Sequence, residues 1–258
     1  MSEQQWKDDL ASWAIPQAIL DQAPESPFIH PVALFTVSDE IPDSFSHRVA
    51  REMQPLSVLD VGSGGGRASM ALVPPAMKLI AVDHQQGMLD EFAKAADARG
   101  VKHEEFLGDW ADVAAEVPNA DVVVCHHVAY NVPNINAFLV ALNEHANLRV
   151  VLEIPERHPL THMNGLWKHF WNLDRPTKPS AQQLCELARV LGFDAQLELW
   201  EDDTWGQRVA LPKDEAVRYN RIRLCLPADR DSEIAVAMAE QPESPDRMIG
   251  TIWWDVKR

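Results

Sequence analysis

The chain is poor in cysteine, tyrosine and glycine: its 258 residues hold three Cys, two Tyr and 11 Gly. Cys125, Cys185 and Cys225 are odd in number and widely spaced, which speaks against a disulfide framework and offers no zinc-knuckle spacing. A reducing cytoplasm is the expected compartment. No apolar run approaches the roughly 20 residues needed to span a bilayer. The first residues, Met1 to Asp9, lack the basic-then-apolar layout of a secretory signal. Positive charge is scarce as well: 23 Lys and Arg stand against 39 Asp and Glu, a formal net charge of −16. Nucleic-acid binding relies on Lys and Arg to neutralise phosphates, and no basic run supplies them. Arg218, Arg221 and Arg223 are where a local basic groove could still form. The expected partner is therefore a small molecule, with neither nucleic acid nor membrane involved, and long-range attraction would favour a cationic one. The sequence gives no oligomeric state.

What the chain has is concentrated. Hydrophobic residues at 46% and charged residues at 24% are ordinary for a globular protein, and the length suits one domain with embellishments. Four of the 11 glycines fall in one stretch, Val58-Leu59-Asp60-Val61-Gly62-Ser63-Gly64-Gly65-Gly66. An apolar run that breaks into such a turn brings bare backbone close to a ligand, and a following helix would aim its unpaired N–H groups at it. A phosphate-cradling loop would need Gly-Lys-Ser/Thr at its end, where Arg67-Ala68-Ser69 stands. The dinucleotide fingerprint would need a small residue at position 67, which is Arg.

From residue 56 onward a β–α alternation is legible. Strands are expected over 56–61, 78–83, 103–107, 120–125 and 149–154, with helices over 68–72, 87–100 and 136–146, the last with a side-chain cap at Asn136. Such a rhythm implies a parallel sheet covered on both sides through right-handed crossovers. The alternation pauses over 155–179, where Pro155, Pro159, Pro176 and Pro179 surround the aromatic piece Leu166 to Trp171. Ser180 and Gln183 form a capping box for a helix over 181–191. A strand over 195–200, helical stretches over 213–226 and 231–240, and a last strand over 248–256 complete the chain. Ahead of all this, residues 1–50 read as a helical extension. Trp6, Leu10, Trp13 and Ala14 make one apolar stripe there, before Pro16, Pro24, Pro27 and Pro31 divide the chain.

Asp60, Gly62, Gly64 and Gly66, spaced acidic-x-Gly-x-Gly-x-Gly, resemble motif I of the class I S-adenosylmethionine (AdoMet)-dependent methyltransferases. Three later segments resemble the same family in the same order. Asp83 ends the second strand, 21 positions beyond Gly62, where an acidic residue can accept from both ribose hydroxyls, and His84 and Met88 follow it. Gly108-Asp109-Trp110 follows strand three, and Cys125-His126-His127-Val128-Ala129-Tyr130-Asn131 leaves strand four. The likeness is strongest over about residues 50–155.

The resemblance implies a Rossmann-like α/β fold: a seven-stranded, mostly parallel sheet whose last strand runs antiparallel, with helices on both faces. Residues 1–50 would be an N-terminal cap, 51–258 the AdoMet-binding domain, and 155–179 a lid-like insert after strand five. It also implies AdoMet as cofactor and methyl transfer to a small-molecule acceptor. The cofactor would lie against Asp60, Gly62, Gly64, Gly66, Asp83, His84, Met88, Gly108, Asp109, Trp110 and His126, with Met88 and Trp110 against the adenine and Asp109 on its amino group. AdoMet carries no phosphate, so its glycine loop needs no basic residue, and Asp60 offers an acceptor for the ammonium or a cap for the loop.

His126 and His127 stand where a general base would be needed, and neighbouring residues of a strand point to opposite sides, so one of them is expected to face the acceptor. Tyr130 and Asn131 are alternative proton partners in the same loop. A second histidine group, His158, His162 and His169, lies in the insert beside Glu153, Glu156 and Arg157. As a metal site it is disfavoured, because Pro159 breaks the helix that would put His158 and His162 on one face; no metal is expected. Three other readings stay open at this point: a non-catalytic AdoMet-binding module, an NAD or nucleotide-sugar binder on a similar fold, and an RNA methyltransferase.

Overall fold

The computed structural model describes residues 1–28, 41–202, 211–241 and 248–257; Pro31, Arg258 and the middle of the N-terminal segment fall outside them. Seven strands form one sheet: β1 Ser57–Val61, β2 Lys78–Asp83, β3 Lys102–Leu107, β4 Ala120–His126, β5 Ala146–Pro155, β6 Gln196–Glu201 and β7 Met248–Asp255. Their spatial order is β3-β2-β1-β4-β5-β7-β6. β1 to β5 pair in parallel, and β7 runs antiparallel between β5 and β6. This is the Rossmann-like sheet that the sequence implies, including its reversed last strand.

Buried strands read as apolar runs when both faces are covered. Leu59 and Val61 of β1 point to one face and Val58 to the other, and each face has its own core. On the first face pack helices α1 Glu3–Ala11, α6 Trp110–Val113, α7 Ile135–His145 and α9 Ala181–Val190, through Trp6, Phe138, Leu142 and Leu184 among others. Against the second lie α3 Phe45–Arg51, α4 Arg67–Met70 and α5 Gln86–Arg99, through Val49, Met70, Leu89 and Phe92. β3, at the sheet edge, keeps a charged and largely exposed sequence, which discourages pairing with another chain.

Local signals place the helix ends. α5 stops at Gly100, whose left-handed backbone closes the last turn. α9 starts on the expected capping box between Ser180 and Gln183. One expectation is corrected. Asn136 does not cap α7 but lies inside its first turn, and its backbone N–H donates to Glu3 Oε1 of α1 at 3.1 Å. The orphan donor is thus satisfied by another helix, which sequence-local reasoning cannot see.

Residues 155–179 do not stand alone. Met163, Leu166 and Trp167, the latter two on α8 Asn164–Trp171, form a third core with Ile19 of α2 Gln17–Leu20 and with the helices Lys213–Arg223 and Asp231–Glu240. A clasp joins this core to the N-terminal segment. The Arg175 guanidinium lies over the rings of Trp13 and Trp167, 5.4 and 5.2 Å from their centres, and donates to the carbonyls of Trp13 and Ala14. Trp13 in turn stacks on His158 at 3.9 Å, and Tyr130 lies between His158 and Trp6. These contacts seat the N-terminal segment and the insert over the carboxyl ends of β4 and β5.

Replacing Arg175 by Met keeps the aliphatic bulk but removes the charge-assisted hydrogen bonds and both cation–π contacts. The expected loss is about 2 kcal/mol, read as a lower urea midpoint at unchanged slope. A midpoint equal to that of the parent would show that the clasp does not hold the segment.

Candidate functional site

The order of strands reverses between β1 and β4, and in open α/β sheets the crevice at such a switch point, outside the carboxyl ends of the strands, takes the ligand. The glycine stretch forms the floor of that crevice. At Gly66 a φ of +90° coincides with crowding, since a Cβ there would meet Phe92 at 2.7 Å. Gly64 differs: its φ is +51°, but a Cβ would meet nothing within 4 Å. Its backbone therefore faces open space, as a cradle for a ligand must. Gly62 is held from above by Val128, whose methyl occupies the place a Cβ would take.

Two carboxylates fix the loop. Asp60 is buried beneath it, and its Oδ2 accepts from Ser69 Oγ at 2.6 Å and from Ser69 N at 3.2 Å. Burial pushes its carboxyl up to about 7 despite those bonds, with the charge of Asp83 adding to the rise. Of the two roles considered for Asp60, the observed bonds belong to the loop anchor. Asp83, at the end of β2, accepts from Gly64 N through Oδ2 and from Gln85 N through Oδ1, both at 2.9 Å. Each oxygen keeps a further lone-pair direction, which is what a pair of ribose hydroxyls would need. His84 is exposed beside it, Nδ1 3.7 Å from Asp83 Oδ1.

Next to Asp83 lies the segment that follows β3. Gly108 N donates to the Asp83 carbonyl at 3.0 Å, and the exposed Asp109 starts α6 without using its side chain as a cap. Trp110 departs from expectation: at 5% exposure, with its ring edge-on to His145 at 4.8 Å, it shows too little surface to stack on a base. It heads a helix that packs its first residue into the core. Met88 is likewise buried, at 6%.

The edge of the crevice at the ends of β4 and β5 holds a cluster of ionisable groups. β4 ends at His126 and β5 carries Glu153 directly beside it in register. Glu153 Oε1 lies 3.1 Å from His127 Nε2 and 3.8 Å from His126 Nδ1, and Oε2 accepts from Ser44 Oγ at 3.2 Å. The expected division, with one histidine pointing to each side, does not hold. His127 has left the strand with a φ of +63°, which turns its ring back onto the same carboxylate. Burial alone would raise the Glu153 carboxyl, but the surrounding His126, His127 and His47 pull it well below the usual carboxylate range. Burial lowers His126 to about 3 against the pull of Glu153, and it lowers His47 as well.

Tyr130 does not join this cluster. Its buried hydroxyl donates to the Pro155 carbonyl at 2.8 Å, and burial pushes its ionisation upward, so the structure makes it a strut under the insert and not a proton partner. The insert histidines are also spread out: His158 stacks on Trp13, His162 Nδ1 lies 2.8 Å from the Pro159 carbonyl, and His169 is 3.9 Å from Glu233. Among the described residues no group of three or more His, Cys, Asp or Glu is arranged to hold a metal ion, and no helix is long and apolar enough to cross a membrane. Sequence reasoning passed over Ser44 and His47 and considered Glu153 only beside the insert. The available signal was Glu153 itself, a lone charge in the otherwise apolar run Val150-Val151-Leu152-Glu153-Ile154.

Residues 58–147 match the protein family described as "Methyltransferase domain". A ubiquinone biosynthesis O-methyltransferase from Azorhizobium caulinodans is 31% identical over 121 residues, 46% of this chain and 48% of that protein. The chain thus matches about half the length of such relatives. Two solved structures share the fold. One is a SAM-dependent methyltransferase from Thiobacillus denitrificans in complex with S-adenosyl-L-homocysteine (TM-score 0.57, 16% identity, covering 89% of this chain and 98% of that one). The other is a putative methyltransferase from Bacillus halodurans (TM-score 0.53, 15% identity, 81% and 95%).

Asp60 generates a pH prediction. With its carboxyl raised to about 7 in the folded protein, against 3.8 ordinarily, the folded chain holds a proton that the unfolded chain has released between those values. Stability from this group is therefore full below pH about 4 and is lost as pH rises through about 7, at up to about 1.4 kcal/mol per unit. Asp60→Asn keeps an acceptor for Ser69 and should flatten that decline in urea melts taken across the range. Identical pH slopes in both proteins would contradict it.

Proposed function

We propose that this chain, which carries a class I, Rossmann-like methyltransferase domain, transfers a methyl group from AdoMet to a small-molecule acceptor. The single observation that carries the reading is the pairing of an open glycine backbone at Gly64 with the Asp83 carboxylate bonded to it, at the switch point between β1 and β4. The residues present suit this cofactor. Loop N–H groups suit its carboxylate, Asp83 its ribose hydroxyls and the exposed Asp109 its adenine amino group. Trp110 and Met88 contribute packing beneath the base and not a stacking face.

When bound, AdoMet supplies a methyl group already activated by its sulfonium sulfur. The protein's share is to position the acceptor, exclude water and take up a proton where the acceptor carries one. The histidines and Glu153 at the ends of β4 and β5 are the groups suited to that task. The net charge of −16 disfavours a polyanionic acceptor. The A. caulinodans relative is named as an O-methyltransferase, which supports an oxygen nucleophile here. A cytoplasmic, small-molecule role is consistent with these features.

Titration calorimetry should detect AdoMet and S-adenosylhomocysteine binding and no comparable binding of NAD. Asp83→Ala should weaken both sulfur compounds by about 1.5–3 kcal/mol, the scale of hydrogen bonds to a charged group. NAD binding in place of AdoMet, or an unchanged affinity in the variant, would overturn the assignment.

A further inference from the structure

His47 lies on α3, outside the residues that match the methyltransferase family, and no part of the cofactor crevice requires it. Yet it is 4% exposed, its ring stacks on that of His126 at 5.7 Å with 20° between the planes, and the Nε2 atoms of both rings are buried without a hydrogen-bond partner. Two such atoms on stacked rings are costly unless a partner satisfies them.

The opposite nitrogens say what each Nε2 offers. His47 Nδ1 accepts the Ser44 N–H at 3.2 Å in a capping box, so the ring proton of neutral His47 must sit on Nε2, making it a donor. His126 Nδ1 faces the Glu153 carboxylate at 3.8 Å, which favours a proton on Nδ1 and leaves a lone pair on Nε2, making it an acceptor. The pair therefore presents one donor and one acceptor. A hydroxyl group, which is both, satisfies the two at once. An ether or carbonyl oxygen cannot donate to His126, and an ammonium cannot accept from His47.

We propose that His47 and His126 form the recognition site for the hydroxyl group of the methyl acceptor, with Glu153 as the residue that positions His126. This rests on the reading of the chain as a methyltransferase. His47 Nε2–H donates to the acceptor oxygen and fixes it in place. His126 Nε2 would receive the proton as the O–H bond breaks, and the electron pair left on oxygen would form the new bond to the methyl carbon while the carbon–sulfur bond of AdoMet breaks and its pair leaves with sulfur. Burial keeps His126 neutral beforehand, so its lone pair is available. Glu153, ionised behind it, stabilises the imidazolium that results. The acceptor class is thus a small alcohol or phenol, recognised by its O–H.

The test uses the full chain, with and without S-adenosylhomocysteine, and two probes: 4-nitrophenol, and 4-nitroanisole, which lacks only the hydroxyl proton. The parent should bind the phenol at least tenfold more tightly than the ether. His47→Gln preserves the capping box, since Gln at that position can accept from the Ser44 N–H; it should erase the preference, as should His126→Phe. Glu153→Gln places an amide donor against His126 Nδ1 and so moves the ring proton to Nε2. Two donors then face the ligand, and the bound probe should shift toward the coloured phenolate. Equal binding of phenol and ether by the parent, an undiminished preference in His47→Gln, or no spectral change in Glu153→Gln would overturn the proposal. Failure of S-adenosylhomocysteine to bind would count against the cofactor reading instead, and the two probes still decide the hydroxyl site.

Discussion

The hydrogen bond from Gly64 N to Asp83 Oδ2 ties the loop after β1 to the end of β2, and the crevice proposed for the cofactor depends on it. A bare backbone turn is soft by itself, because glycine has the most conformational freedom to lose on folding. Three further features hold it in one shape: Asp60 beneath, bonded to Ser69; Phe92 against Gly66; and Val128 over Gly62. Two of these contacts come from elements distant in sequence. The loop is consequently a product of the whole sheet, and its open face at Gly64 is what remains when all other sides are packed.

Much of the framework was legible because it follows from period and punctuation. Every expected strand is present, the capping box at Ser180 starts α9, and Gly100 ends α5. The family resemblance added what periodicity cannot supply, the antiparallel direction of β7. Misses occurred where tertiary partners override local chemistry. Asn136 looks like a cap, but Glu3 of α1 does that work. Trp110 and Tyr130 look like ligand-facing aromatics, yet one packs against His145 and the other anchors its hydroxyl on Pro155. His127 breaks the alternation of its strand because it adopts a left-handed backbone just past the strand end.

The ionisable cluster at the ends of β4 and β5 was the least legible part, and the reason is physical. Its groups come from three separate places in the chain: Ser44 and His47 on the N-terminal segment, His126 and His127 at the exit of β4, and Glu153 within β5. No spacing rule links them. A buried carboxylate is unfavourable without partners, so Glu153 both gathers this cluster and is stabilised by it. Ser44, His47 and Glu153 all lie outside residues 58–147, which match the family.

The most direct measurement is a crystal structure of the full chain with S-adenosylhomocysteine. The account predicts electron density for both ribose hydroxyls on the Asp83 carboxylate, with the amino-acid tail along the Gly62–Gly66 backbone and the sulfur directed toward His126. Density for the ligand anywhere other than this crevice, or a ribose turned away from Asp83, would contradict it.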